Sequence, residues 1–423
     1  MPTRADPLTA WLSYLESLHP RTIDLGLDRV REVWQRMRAP RPAPICFIVG
    51  GTNGKGSTVA FLTAMLEAAG QRVGSYTSPH LLRYNERVRI DGRDASDEEL
   101  VAAFVAIDTA RSDISLSYFE FGTLAAFVLL AQAKLDVAVL EIGLGGRLDA
   151  VNLIDADAAI LTSVDLDHQD YLGDTREKIG WDKAHIFRRN RPAVLAALDP
   201  PASVRTLAAE IGAQCLELPP LSEPGLASWD CPLPDGSSLR LPLPQLSAPC
   251  QRRNAGAAVW AWWSLRDCLP FVASAVAIGV AGASVRGRLE RLPRAIETRV
   301  DVAHNPEAAA TLAAWLQSQP RRRTVAIFAA LADKDLTGIV APLAAEFCAW
   351  IVVDLGTVTP RAARAADQAR ALAGLLSPDI AISTSPDMAA ALGAAERAAG
   401  AQGQILIFGS FFTVAAALAL SAG

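Results

Sequence analysis

The sequence predicts a mixed α/β protein of two domains, on three observations. Short apolar runs of four to seven residues recur along the chain, as parallel strands buried on both faces require. The segments between them carry apolar residues at helical spacing. The alternation restarts after a break near residue 290, which places helices on both faces of two successive parallel sheets. The chain has 423 residues, room for two or three domains of ordinary size. A core of that extent needs no disulfide or metal to hold it.

Residues 45–49, 136–142 and 158–162 are the first expected strands, with a further apolar run at 72–77. Residues 57–69 are expected as a helix with Val59, Leu62, Met65, Leu66 and Ala69 on its apolar positions and Gly70 to stop it. A proline-rich stretch at 219–249 holds Pro232, Pro234, Pro242 and Pro244 and is expected to be irregular or an edge-strand excursion. A second break at 279–294 contains Gly282, Gly287 and Pro293. The expected division is a domain over 1–285, a linker over 286–296 and a domain over 297–423, whose strands are 325–329, 350–354 and 404–408. No G-x-G-x-x-G follows those strands, so a dinucleotide site is not expected there.

Lys and Arg total 40 against 45 Asp and Glu, a net charge of −5. That balance argues against nucleic acid as a partner, since phosphate backbones recruit net basic surfaces. Apolar residues make up 51 % and charged residues 20 %, which excludes a disordered chain. Residues 1–12 hold no long apolar run, so no signal peptide is expected. The longest apolar stretch, 255–283, is broken by Arg266, Asp267 and Pro270 and is not expected to span a membrane. Cys46, Cys215, Cys231, Cys250, Cys268 and Cys348 are scattered with no C-x-x-C pair. They are expected to be reduced thiols in a cytoplasmic protein.

The strongest local feature is Gly50-Gly51-Thr52-Asn53-Gly54-Lys55-Gly56-Ser57-Thr58, between an expected strand and an expected helix. Glycines let backbone N–H groups turn toward an anion, and the helix N-terminus adds partial positive charge. Lys55 is placed to reach phosphates, and a following hydroxyl to meet Mg²⁺. The usual phosphate loop has glycine where Val49 stands and a hydroxyl where Gly56 stands, so this is a variant of it. The bland alternative is a tight glycine turn.

Further polar clusters follow strands: Ser78-Pro79-His80, then Glu141 with Gly143-Leu144-Gly145-Gly146-Arg147-Leu148-Asp149, then Asp165-Leu166-Asp167-His168. In a parallel sheet the strand C-termini share an edge, where α/β proteins bind ligands. A carboxylate, a hydroxyl and an imidazole beside a triphosphate suit Mg²⁺, which takes few protein ligands and keeps phosphates and waters. Each cluster alone fits a helix cap or turn equally well; their joint placement points to a site. Of the histidines His19, His80, His168, His185 and His304, the pair His168 and His304 follow strands directly. In Asp301-Val302-Ala303-His304-Asn305-Pro306, Asn305 is expected to cap a helix whose first turn holds Pro306.

These motifs, with Tyr76-Thr77-Ser78-Pro79-His80-Leu81, resemble the folylpolyglutamate synthase branch of the Mur ligase family. The resemblance runs from Trp11 to about Ala416. Ile23-Asp24-Leu25-Gly26-Leu27 and Ser117-Tyr118-Phe119-Glu120-Phe121-Gly122-Thr123 resemble the pterin-side segments of its bifunctional bacterial members, the dihydrofolate synthase/folylpolyglutamate synthases. The resemblance implies a P-loop-type parallel-sheet ATPase domain followed by a smaller Rossmann-like α/β ligase domain. It implies an ATP-dependent amide ligase. Dihydropteroate, or the γ-carboxylate of a reduced folate, takes the γ-phosphoryl group of ATP as an acyl phosphate, and the amine of L-glutamate displaces phosphate. Phosphoryl transfer of this kind needs positioning and charge neutralisation, and a closing cleft between domains would protect the acyl phosphate from water. The family is usually monomeric, and neither nucleic acid nor membrane is expected as a partner.

By position, the resemblance implies that Thr52, Asn53, Gly54, Lys55, Gly56 and Ser57 hold the phosphates. Ser57, Ser78 and Glu141 would bind a first Mg²⁺, and His168 a second, joined by Lys183 as a carbamate in Trp181-Asp182-Lys183-Ala184-His185. Asn254 resembles an adenine contact, Arg288 a linker arginine at the phosphates, and Asp301 a ribose contact. Asp24, Leu25, Gly26, Leu27, Ser117, Tyr118, Phe119, Glu120, Leu148, Asp149 and Ala150 would line the pterin side. His304 and Ser410 are expected near the glutamate end. The plain alternative for Lys183 is an ordinary surface ion pair with Asp182. Two positions depart from the family: His185 stands where glycine is usual, adding bulk beside Lys183, and Phe412 where relatives carry a polar ring. Weighed beside this reading are a folylpolyglutamate synthase without the first activity, a cell-wall Mur ligase, which would lack the pterin-side segments, and a nucleotide switch. The switch has Asp170-Tyr171-Leu172-Gly173 in its favour, but no N-K-x-D motif occurs.

Overall fold

The computed structural model describes residues 2–19 and 24–421, so Ile23 lies outside the described residues. The chain divides into two compact units, Met1–Gln245 with Gln251–Ser284, and Leu246–Cys250 with Val285–Gly423.

The first unit is built on eight strands: β1 (Ile45–Gly50), β2 (Val73–Tyr76), β3 (Val88–Ile90), β4 (Arg93–Asp94), β5 (Val137–Glu141), β6 (Ala158–Leu161), β7 (Pro192–Leu195) and β8 (Gln214–Glu217). Their order is β4-β3-β2-β5-β1-β6-β7-β8. From β2 through β8 neighbouring strands are parallel, and only β3 and β4 add antiparallel edges. The central strands are fully buried, which is why they read as unbroken apolar runs. The expected strand at 136–142 is one residue shorter at each end, because Ile142 has already turned into the loop that follows Glu141.

The helix after β1 is Lys55–Ala68, starting two residues earlier than its apolar spacing suggested. Its first turn packs polar groups toward the site rather than apolar ones toward the core, and periodicity is blind to that turn. Gly70 follows it in the left-handed region, φ +80°. The stretch 219–249 is not an edge of the main sheet. It forms its own two-stranded antiparallel sheet, β9 (Ser228–Pro232) with β10 (Ser238–Pro242). Proline at the outer position of each strand accounts for the short ladder. The break expected from Gly279 begins later, since the helix Ala273–Gly282 runs through that glycine.

The second unit carries β11 (Glu290–Arg291), β12 (Glu297–Val300), β13 (Thr324–Phe328), β14 (Ala349–Val353), β15 (Ala381–Ser385) and β16 (Gln404–Phe408). Their order is β11-β12-β16-β13-β14-β15, parallel except at β11. Its core is aromatic, with Phe328, Trp350, Phe347 and Phe408 in mutual ring contact. No helix of the described residues is long and apolar enough to cross a membrane.

Gly279 lies where the helix Ala273–Gly282 meets the helix Lys55–Ala68. A Cβ there would fall 2.4 Å from the Met65 nitrogen and 2.5 Å from its Cα. Backbone cannot give way as a side-chain tip can, so Gly279→Ala should lose about 1–3 kcal/mol to overpacking, despite alanine's better helix propensity. Urea unfolding checks this; a midpoint unchanged or raised would contradict the close approach.

Candidate active site

In the first unit the parallel register brings four strand ends to one edge. Val49 pairs with Glu141, Tyr76 with Leu140, and Gly50 with Leu161. The glycine loop, Ser78, Glu141 and the 162–168 segment therefore emerge side by side.

The loop between β1 and its helix is held by the segment after β6. The Thr52 N–H donates to the Ser163 carbonyl at 2.8 Å, and the Asn53 N–H to Ser163 Oγ at 3.0 Å. Thr162 Oγ1 donates to the Asn53 carbonyl at 2.6 Å. Gly51 has φ +142° and a Cβ there would lie 1.9 Å from Thr162 Oγ1, while Gly54 has φ +83° with Asn254 Oδ1 only 2.6 Å from its Cβ position. Both positions demand glycine, and Gly54 brings Asn254 against the loop. Thr162 and Ser163 were not among the expected site residues. Their signal was available: small hydroxyl residues directly after a strand that neighbours the loop strand.

Lys55 folds back on the loop, its Nζ donating to the carbonyls of Gly51 and Thr52 at 3.0 Å each. Lys183 Nζ donates to the same Gly51 carbonyl, also at 3.0 Å. Lys183 is buried, which corrects its reading as a surface ion pair with Asp182. Asp182 instead lies 3.6 Å from Arg147 Nε. Burial, then repulsion from Lys55, pulls the Lys183 amine down to a pKa of about 7. The helix Arg176–Ala184 that carries Lys183 is clasped by the loop after β5. A Cβ on Gly146 would lie 2.7 Å from the Lys183 carbonyl, and the Arg147 N–H donates to the Asp182 carbonyl at 3.1 Å. His185 ends this helix in ordinary right-handed backbone, with its ring edge-on to Trp181 at 4.3 Å. No glycine is required there, and the added bulk packs on Trp181.

Ser57 and Glu141 are both buried, and Glu141 Oε2 accepts from the Ser78 N–H at 3.2 Å. A Cβ on Gly56 would sit 3.7 Å from that same oxygen, so the carboxylate lies against the first helical turn. A buried hydroxyl and carboxylate at the mouth of a phosphate loop fit a hard divalent ion that completes its shell with phosphates and water. Among the described residues no three His, Cys, Asp or Glu side chains converge as a metal cage. His168 takes a left-handed conformation, φ 52°, at the start of the short helix Gln169–Leu172.

The expected pterin-side segments also come together. Ser117 caps the helix Tyr118–Gln132 in a reciprocal box with Glu120. Arg29 then bridges outward. Its Nη2 donates to Glu120 Oε1 at 3.0 Å and its Nη1 to Asp24 Oδ2 at 2.6 Å. Phe119 closes the third side, its ring 2.4 Å from where a Gly143 Cβ would be. Leu25, Gly26, Leu27, Tyr118 and Leu148 are half-buried and Ala150 is buried. Asp149 is buried with both oxygens engaged, Oδ2 accepting from Leu144 N–H at 2.8 Å and Oδ1 from Val151 N–H at 2.9 Å. Burial raises its pKa to about 7 against those donors. Its visible work is to fold the loop. Arg29 was not anticipated, because nothing in its helix's polar face distinguishes one arginine from the next.

In the second unit, Asp301 and Ser410 leave the adjacent parallel strands β12 and β16. Asp301 accepts at Oδ2 from the Leu289 N–H, 3.0 Å, and at Oδ1 from the Ala303 N–H, 2.9 Å, and burial raises its pKa. Ser410 is buried and caps the helix Phe411–Ala419. Asn305 caps the helix Pro306–Ser318, with Pro306 in its first turn. His304 Nδ1 lies 2.8 Å from the Val302 carbonyl, and Phe411 has the His304 ring at 5.7 Å and the Arg288 guanidinium at 5.8 Å. Phe412 is half-buried.

Known proteins match across this frame. Residues 49–216 match the Mur ligase middle domain and residues 287–411 the Mur ligase, glutamate ligase domain. The chain is 42 % identical over 425 residues to the dihydrofolate synthase/folylpolyglutamate synthase of Escherichia coli K12, covering 98 % of this chain and 95 % of that one. The Haemophilus influenzae protein of the same name is 38 % identical, covering 97 % and 96 %. Among solved structures, E. coli FolC in complex with DHPP and ADP superposes with a TM-score of 0.92 at 41 % identity over 99 % of both chains. A bifunctional folylpolyglutamate synthase/dihydrofolate synthase with Mn, AMPPNP and L-glutamate bound gives 0.89 at 42 % identity, again over 99 % of both.

Arg29→Ala would leave the buried Glu120 carboxylate without its charged donor. The expected loss is roughly 1–3 kcal/mol of stability, read by chemical denaturation. Arg29→Lys should recover only part, since one ammonium cannot span Asp24 and Glu120 as a fork does. Full recovery by lysine would show that charge alone, not the bridge, matters.

Proposed function

The chain belongs to the Mur ligase family, within its dihydrofolate synthase/folylpolyglutamate synthase branch, and from that premise we propose how its residues serve the reaction. The protein is an ATP-dependent ligase that joins L-glutamate to dihydropteroate and to the γ-carboxylate of reduced folates. The observation that carries the assignment of residues is the shared sheet edge: the glycine loop and Glu141 with Ser78 leave it together, and Phe119 of the Arg29-bridged segments packs on the loop after β5.

In this reading the domain over 1–285 binds ATP, 286–296 is a linker, and 297–423 is the ligase domain. The N–H groups at the helix start, residues 54–57, and Lys55 take the phosphates, while those of Thr52 and Asn53 anchor the loop on Ser163. Asn254, packed on Gly54, takes the adenine side, and Arg288 and Asp301 are assigned nucleotide contacts by resemblance. Asp301 keeps a second lone pair on each oxygen for that role. His304 and Ser410 are assigned to the glutamate end. Mg²⁺ bound by Ser57, Ser78 and Glu141, with a second ion at His168 and carbamylated Lys183, would supply charge neutralisation of the phosphates. Lys183 suits that modification: its neutral amine adds to CO₂ with loss of one proton, and the buried cation becomes an anion. An oxygen of the acceptor carboxylate attacks the γ-phosphorus, and the bond to ADP breaks. The glutamate amine then attacks the acyl carbon, phosphate leaves, and the amine sheds its proton. The six cysteines are unpaired, which supports placement in the reducing cytoplasm, and the protein acts as a monomer on small molecules.

ATP-dependent phosphate release should require dihydropteroate and L-glutamate together. Release with either alone, or with neither folate acceptor, contradicts the ligase. Lys55→Ala should lower turnover by about 10²-fold or more, as the loss of a transition-state charge partner does; near-normal turnover would remove Lys55 from the phosphates. Lys183→Ala should lose activity and regain part of it when short carboxylates are added. Full activity without them would dismiss the carbamate.

A further inference from the structure

Arg87 is a buried cation that the reading above does not use. Only 9 % of it is exposed. Its Nε donates to His80 Nδ1 at 2.9 Å, and its guanidinium lies 5.2 Å from the Tyr84 ring and 5.7 Å from the Tyr118 ring. Among the described residues no carboxylate lies within ion-pair distance of it, whereas Arg29, Arg147 and Arg176 each have one. Ring faces attract a guanidinium but accept few of its N–H groups. Buried charge is normally paired or reserved for a ligand. Besides His80, the guanidinium meets the buried Tyr76 hydroxyl, and both are neutral partners that leave its charge unanswered.

Its position names the ligand. The Arg87 carbonyl accepts from the Thr77 N–H at 2.9 Å, one residue before Ser78. His80 ties the guanidinium to the same Ser78-Pro79-His80 segment. On the other side, Tyr118 belongs to the capped helix start assigned to the pterin. Arg87 thus spans the phosphate side and the folate side, which is where a carboxylate about to be phosphorylated must lie. We propose that Arg87 binds the acceptor carboxylate itself, an arylcarboxylate whose ring runs along Tyr118 and Phe119, and holds it against the repulsion of the triphosphate. A planar fork matches the two carboxylate oxygens. The proposal rests on the folate-ligase reading and deepens it.

The test is equilibrium binding of pteroate and of its carboxamide, with a non-hydrolysable ATP analogue present, to the wild type, Arg87→Gln and Arg87→Lys. The wild type should prefer the acid over the amide by at least about 10-fold. Arg87→Gln should weaken the acid by about 10- to 100-fold, as loss of a charged hydrogen-bond partner does, and leave the amide and the ATP analogue within twofold. Arg87→Lys should fall between. Equal losses of acid and amide would make Arg87 a packing residue and overturn the proposal. A loss confined to the ATP analogue would assign it to a phosphate and overturn it too. Should the Gln variant melt, a wild-type acid-to-amide ratio near one is enough to refute it. Wild type that binds neither compound would instead refute the folate-ligase reading.

Discussion

Two ammonium groups converge on one carbonyl oxygen, and much of the first unit is arranged around that convergence. Lys55 and Lys183 both reach the Gly51 carbonyl at 3.0 Å. Like charges this close in a buried setting disfavour each other, and the amine in the deeper position gives up its proton more readily. The arrangement becomes favourable when anions arrive. In the proposed reading a triphosphate on the glycine loop would answer Lys55, and conversion of Lys183 to a carbamate would turn its repulsion into attraction. The glycines at 51 and 54 are part of the same constraint, since a side chain at either would push Thr162 or Asn254 away from the loop.

The folate side is organised by a different device, reciprocal use of backbone donors. Ser117 and Glu120 satisfy the open N–H groups of a helix start, and Arg29 converts that cap into a strut to Asp24. Asp149 does the same for the loop after β5. Carboxylates spent this way hold backbone in place, and in the proposed reading the recognition of ligand would fall to groups with donors or ring faces to spare: Tyr118, Phe119 and, by the inference above, Arg87.

Most of the fold was legible because parallel strands buried on both faces leave a signal that needs no partner information. Gln404–Phe408 matches its expected bounds, and 325–329 and 350–354 are each shifted by one residue. Periodicity failed where residues serve the site rather than the core, as at Lys55–Gly56, and where proline makes a local hairpin that resembles an edge strand. The glycine loop, Glu141 and Lys183 were legible as motifs. The burial of Lys183 was not, because a lysine beside an aspartate in sequence looks like a surface pair until the loop at Gly146 is seen to cover it. Thr162 and Ser163 could have been found from their place after a strand. Arg29 and Arg87 could not, since what sets them apart is a partner from a distant helix start, Glu120 for Arg29 and the Tyr118 ring for Arg87.

What separates Arg87 from Arg29 and Arg188 is the kind of group its donors meet, and this is a structural quantity. Arg188 shows the contrast: its side chain donates to the carbonyls of His185, Phe187 and Asn152 and to Asp155, leaving nothing for a ligand. Arg29 spends its two Nη groups on Asp24 and Glu120, and its buried Nε has no partner among the described residues. Arg87 spends Nε on His80 and meets the Tyr76 hydroxyl, both neutral groups. A guanidinium costs too much to bury for its charge to serve rings and neutral partners alone, so the charge that no described carboxylate answers marks the place where an anion is expected.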